Sequence, residues 1–189
     1  MTSPSSYHAL IVSAIATSFI GFTSCAAKDI EPTVDGDVLE FEASDLEGNP
    51  VSHEDNRFKD KVVLVDIWGT WCPPCRDSIS KLVELQEEYG EEGLVVVGVA
   101  FEETEDLTER RGALRTFVEE NKMNYLVLDG GTTGGVPEIF QTLKGFRGYP
   151  TMIIVGRDGK VAHANTVFVP RENKKIRMET EKALELEEE

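Results

Sequence analysis

The run Lys61-Val62-Val63-Leu64-Val65-Asp66-Ile67 is apolar and rich in β-branched residues, and it leads directly into Trp71-Cys72-Pro73-Pro74-Cys75. An unbroken apolar run of this length reads as a strand covered on both faces. Proline is tolerated at the first helical positions, where its missing N–H has no acceptor to lose, so Pro73 and Pro74 mark a helix start. The chain is therefore committed to a buried strand, a short turn and a helix that opens on two sulfurs.

The rest of the chain extends this pattern. Val38, Phe41 and the turn Asp45-Leu46-Glu47-Gly48-Asn49-Pro50 predict a small N-terminal β-hairpin. Ile79, Leu82, Val83 and Tyr89 share one face of the helix after the cysteines, which Gly90 closes. Residues 94–101 predict a second buried strand, Leu107, Leu114, Phe117 and Val118 a second amphipathic helix, and residues 125–128 a third strand. Residues 130–135 (Gly-Gly-Thr-Thr-Gly-Gly) read as a mobile loop, and residues 136–143 as a short helix. Residues 151–155 and 160–164 predict a hairpin across Gly156-Arg157-Asp158-Gly159. A charged helix follows from Arg171, with Ile176, Ala183 and Leu184 as its apolar stripe and a solvated Glu run at its end. Early strands joined by helices pair in parallel and the last pair is antiparallel, so the fold class is α/β with one mixed central sheet flanked by helices.

A C-x-x-C at a helix start places the first sulfur among unpaired backbone N–H groups at the positive end of the helix dipole. Thiols in such positions have pKa values lowered to roughly 3.5–7.5, which makes Cys72 the expected nucleophile. Cys75, one turn on and more sheltered, would resolve the mixed disulfide that Cys72 forms. Pro73 and Pro74 remove N–H donors that could solvate a Cys72 thiolate and so tune the redox potential. Asp66 is costly in a buried strand, where desolvation raises a carboxyl pKa. It can take the proton of Cys75 through a water; the competing reading puts it at the strand's end as a cap for the next turn.

Other chemistries fit less well. A closed zinc site needs four ligands, and only His53, His163 and the distant Cys25 could supplement the pair. Both histidines read as surface hydrogen-bonding residues. Two cysteines can also hold soft Cu(I), so a non-enzymatic binding module or Cu(I) chaperone stands as the alternative to an oxidoreductase, although the four methionines are scattered.

Val65-Asp66-Ile67-Trp68-Gly69-Thr70-Trp71-Cys72-Pro73-Pro74-Cys75 resembles the active-site strand and turn of the thioredoxin superfamily, and its Cys-Pro-Pro-Cys resembles the exported reductases of the TlpA and ResA type. Gly148-Tyr149-Pro150-Thr151 is similar to the family's cis-proline loop. Residues 93–130 resemble the strand–helix insertion that this group shares with peroxiredoxins. The resemblance implies a thioredoxin-like fold with an N-terminal β-hairpin and that insertion. It implies a docking surface of Trp71, Pro73, Pro74, Tyr149 and Pro150, with Asp66 in the place of thioredoxin's buried carboxylate; the TlpA group often has Asn there. Peroxiredoxins carry Thr or Ser three residues before the peroxidatic cysteine, and Gly69 holds that position here, which argues against peroxide chemistry.

Residues 9–22 carry no charge and are too few to span a hydrocarbon core, which needs ~20 helical residues. With the small residues that follow, they read as a secretory signal over residues 1–24, with 25–36 as a linker and 37–189 as the domain. Phe22-Thr23-Ser24-Cys25 resembles a bacterial lipoprotein box, in which Cys25 becomes lipidated; Cys25-Ala26-Ala27 offers a competing cleavage site before Lys28. The expected location is extracytoplasmic, in the periplasm or as a membrane-anchored lipoprotein, with membrane contact only through Cys25. The formal charge of −16 leaves no electrostatic footprint for nucleic acid. No cofactor is expected beyond the cysteine pair. The expected partners are exported thiol or disulfide proteins, apocytochrome c among them as in cytochrome c biogenesis, and a membrane electron donor that recharges a reductase.

Overall fold

The computed structural model describes residues 32–166 and 172–185. In order they form β1 (Thr33–Val34), β2 (Glu42–Asp45), β3 (Pro50–Ser52), β4 (Val62–Trp68), α1 (Pro73–Tyr89), β5 (Leu94–Glu102), α2 (Leu107–Glu120), β6 (Leu126–Thr132), α3 (Val136–Ile139), β7 (Leu143–Lys144), β8 (Thr151–Val155), β9 (Val161–Thr166) and α4 (Glu172–Glu185). The segment expected as a secretory signal and Cys25 lie outside the described residues. The stretch expected as a linker enters them at its end, where Thr33 and Val34 pair with Lys144 and Leu143 in a two-stranded sheet.

Seven strands form the central sheet in the order β3-β2-β6-β5-β4-β8-β9. The apolar strands β4, β5 and β6 run parallel in the middle, and the hairpins β2–β3 and β8–β9 close the two sides antiparallel. Alternation along β4 sorts its side chains into two cores. Val62, Leu64 and Trp68 face a layer built from α1 (Cys75, Ile79, Leu82, Leu85), α2 (Leu114) and α4 (Ile176, Ala183). Val63, Val65 and Ile67 face the opposite layer, where Leu39, Phe41, Phe58, Val136 and Phe140 cover the sheet. The mixed sheet flanked by helices thus stands as the pattern predicts.

Three local expectations change. The glycine-rich stretch at 130–135 is not a loop throughout, because β6 continues to Thr132. Gly130 is buried, and a Cβ there would lie 2.7 Å from the Phe101 ring, so its glycine serves close packing rather than mobility. The helix expected over 136–143 stops at Ile139, after which Leu143 and Lys144 pair with β1. Leu107, placed on the apolar stripe of α2, is 48% exposed at the helix's first position, while Leu114 carries the buried contact.

Candidate active site

The redox pair sits where the carboxyl ends of the parallel strands meet the first turn of α1, the usual place for a site in an open α/β sheet. Cys72 is the N-cap residue of α1, and Pro73 and Pro74 take its first positions. Cys72 and Cys75 are joined as a disulfide, with Cα atoms 5.3 Å apart. The Cys75 backbone N–H points at the Cys72 sulfur at 3.3 Å. Both sulfur-bearing residues are buried, while Pro73, Pro74 and Trp71 are exposed beside them.

Trp71 is 38% exposed, yet its indole is fixed. Its Nε1–H donates to the Phe101 carbonyl at 2.8 Å, and its ring meets Tyr149 edge-on at 5.2 Å. Tyr149 in turn meets Phe146 edge-on at 5.2 Å and Phe101 at a tilt at 6.1 Å, and its hydroxyl donates to the Thr133 carbonyl at 2.7 Å. Burial pushes the Tyr149 hydroxyl up to about 12, so it stays protonated and keeps donating. The Tyr149–Pro150 peptide is cis, and Thr151 secures the loop by donating to the Gly148 carbonyl at 2.7 Å. Gly69 lies under the Trp71 indole. A Cβ there would overlap Trp71 Nε1 and come within 2.6 Å of the Phe101 carbonyl oxygen. The position that a peroxide-aligning Thr or Ser would need is therefore filled.

Asp66 is 1% exposed and lies in the interior of β4, between Gly98 of β5 and Met152 of β8. It does not cap the following turn. Alternation puts its side chain on the same face as Leu64 and Trp68, the layer that contains Cys75. Burial pushes its carboxyl up to about 8. A group with that value can hold or release a proton near neutral pH.

Glu102 is a site residue the sequence did not reveal. At the end of β5 its carboxylate accepts the Thr70 N–H at 2.8 Å and the Thr70 hydroxyl at 2.7 Å, which ties down the turn that presents Trp71 and Cys72. The available signal was an acid at the carboxyl end of a buried strand; its pairing with Thr70 is tertiary. The two histidines stay away from this cluster. His53 Nδ1 lies 3.4 Å from the Phe41 amide nitrogen, and half-buried His163 lies on β9.

A strand-to-helix turn carrying a disulfide, faced by a cis-proline loop, defines a thioredoxin-type thiol–disulfide oxidoreductase. Residues 34–164 match the model of the AhpC/TSA family, and the chain belongs to that family. It is 30% identical over 156 residues to the thiol-disulfide oxidoreductase ResA of Bacillus cereus (strain ATCC 10987 / NRS 248), covering 80% of this chain and 82% of the relative. Among solved structures it resembles a protein of Chlorobium tepidum assigned as thiol:disulfide interchange protein DsbE, with a TM-score of 0.66 and 26% identity over 80% of this chain and 99% of that one. A DsbF homologue from Corynebacterium diphtheriae shares the fold, with a TM-score of 0.62 at 23% identity, covering 85% of this chain and 97% of that one. The enzymatic reading, rather than a copper-binding module, is the one that the ResA relatives support.

Proposed function

We propose that this oxidoreductase is an extracytoplasmic dithiol reductase that returns disulfides of exported proteins to thiols. The observation that carries the direction is the poor solvation offered to a Cys72 thiolate. The Cys75 N–H is the donor seen at its sulfur, and the two prolines at the helix start contribute none. A couple becomes strongly oxidising when its reduced form is stabilised. Withholding donors from the thiolate works the other way.

In the reaction, the Cys72 thiolate attacks one sulfur of the partner's disulfide, and the partner's other sulfur leaves as a thiolate. Cys75 then loses its proton to Asp66 and attacks the Cys72 sulfur. The mixed disulfide breaks, the partner leaves with its second thiol, and Cys72–Cys75 is oxidised. Exposed Trp71, Pro73 and Pro74, backed by half-buried Tyr149 and buried Pro150, form the surface that receives an extended partner segment. A membrane electron donor restores the dithiol. Export rests on the signal pattern of residues 1–24, with Cys25 as the lipid anchor, and an apocytochrome c is the partner class that the TlpA/ResA resemblance favours.

The test is the Cys72–Cys75 reduction potential. A value in the range of roughly −200 to −270 mV is expected, and one near −120 mV would overturn the reductase assignment. A Cys75→Ser variant should accumulate mixed disulfides with exported proteins; capture of cytosolic partners alone would overturn the location.

A further inference from the structure

Behind the disulfide, three buried polar atoms have no hydrogen-bond partner among the described residues: Asp66 Oδ1, Trp68 Nε1 and Tyr125 OH. Buried polar groups are rarely left this way, and three together call for an explanation. They are neighbours, and Gly98 shows it. Gly98 pairs with Asp66 across β4 and β5, so its missing side chain would enter the space beside the Asp66 carboxyl. A Cβ at Gly98 would meet Trp68 Nε1 at 2.8 Å and the Tyr125 ring at 3.3 Å. Tyr125 is also close enough for the Asp66 charge to add to the burial that pushes its phenol up.

The donor and acceptor types are complementary. An indole can only donate, an ionised carboxylate can only accept, and a phenol can do either. A water among them would accept from Trp68 and donate to Asp66, with Tyr125 taking whichever role remains. Buried waters are typically held by two to four such partners.

We infer that Asp66, Trp68 and Tyr125 hold one buried water above Gly98, and that Tyr125 is a positioning residue that aligns this water for proton transfer from Cys75 to Asp66. The inference rests on the proposed role of Asp66 as proton acceptor and adds the residue that sets its geometry. The Cys75 S–H proton passes to the water as the water gives one of its own to the carboxylate. The Cys75 thiolate then displaces the partner's sulfur from Cys72. The other buried charged side chains among the described residues are engaged elsewhere, Glu102 with Thr70 and Asp129 with Arg110. The apolar side chains of this layer include Val96 and Ala100 of β5, Met152 and Ile154 of β8, Leu114 of α2 and Ile176 of α4. Tyr89 and Tyr149, at the margins, engage Glu181 and the Thr133 carbonyl.

The test compares Tyr125→Phe and Asp66→Asn in the full chain, following the attack of Cys72 and the resolution by Cys75 as separate steps on a disulfide peptide. Tyr125→Phe should leave attack unchanged, slow resolution roughly tenfold, and shift the pH profile of resolution. Asp66→Asn should slow resolution by about a hundredfold. Slow resolution in Asp66→Asn with parental rate and pH profile in Tyr125→Phe would overturn this inference and leave the role of Asp66 standing. Parental resolution in Asp66→Asn would overturn both. Equal slowing of attack and resolution in Tyr125→Phe would reduce Tyr125 to a packing residue and also overturn the inference.

Discussion

Asp66 shows what one carboxyl costs when a strand carries it into the core. Its ordinary value of 3.8 is raised to about 8 by burial, so the folded chain keeps a proton that the unfolded chain gives up. This group therefore favours folding most below pH ~4, and its contribution falls as pH rises from ~4 to ~8. In the oxidised protein, Asp66→Asn removes that slope. Denaturant unfolding at a series of pH values should show the variant gaining on the parent by on the order of 4 kcal/mol between pH 4.5 and 8. Parallel pH curves would contradict the burial argument. The residue was legible in advance because a charge inside a β-branched run has few innocent explanations. Glu102 was not, because nothing local pairs it with a threonine 32 positions earlier. Gly69 was read for the chemistry it lacks, and the structure adds that the Trp71 indole leaves no room for any Cβ.

At the scale of elements, α2 is fastened to the sheet by charge as well as by Leu114. Arg110 Nε donates to Asp129 Oδ1 at 2.7 Å and its Nη2 to Oδ2 at 3.3 Å, while Arg111 Nε donates to Oδ2 at 3.0 Å. Burial works to raise the Asp129 carboxyl, but the bonds from Arg110, the Gly131 N–H and Arg111 outweigh it and hold it below its ordinary value. Arg115 of the same helix donates to the Leu46 carbonyl and so reaches the β2–β3 turn. Asp129→Asn should cost about 3–5 kcal/mol by leaving buried Arg110 without its counter-charge. The readout is a lower denaturant midpoint at an unchanged slope; a loss under about 1 kcal/mol would show that α2 is held by packing alone. The elements themselves were largely readable. β4 and β5 announce themselves as apolar runs, and α1 by its prolines and its periodic face. Residues 130–135 were misread because glycine supports two opposite physical roles, freedom and close approach. Only the neighbouring ring of Phe101 decides between them.

For the molecule as a whole, 35 acidic residues against 19 basic ones leave a net charge of −16. Such an excess repels itself in the compact state, and salt screens it. The thermal midpoint should rise by about 2–5 °C between roughly 10 mM and 500 mM sodium chloride. A flat or falling midpoint would mean that the local pairs, such as Arg177 with Glu88 at 2.6 Å and the Arg110–Asp129 pair, dominate the electrostatics.

The chain contains two tryptophans, Trp68 and Trp71, and both lie within four residues of Cys72. One is sealed in the core and the other is half open beside the disulfide. A disulfide beside an indole quenches its emission, and a dithiol does so much less. Tryptophan fluorescence, excited at wavelengths that the four tyrosines do not absorb, therefore originates entirely at the redox site. It offers a label-free optical record of the oxidation state, turnover by turnover, with no signal from the rest of the molecule to subtract.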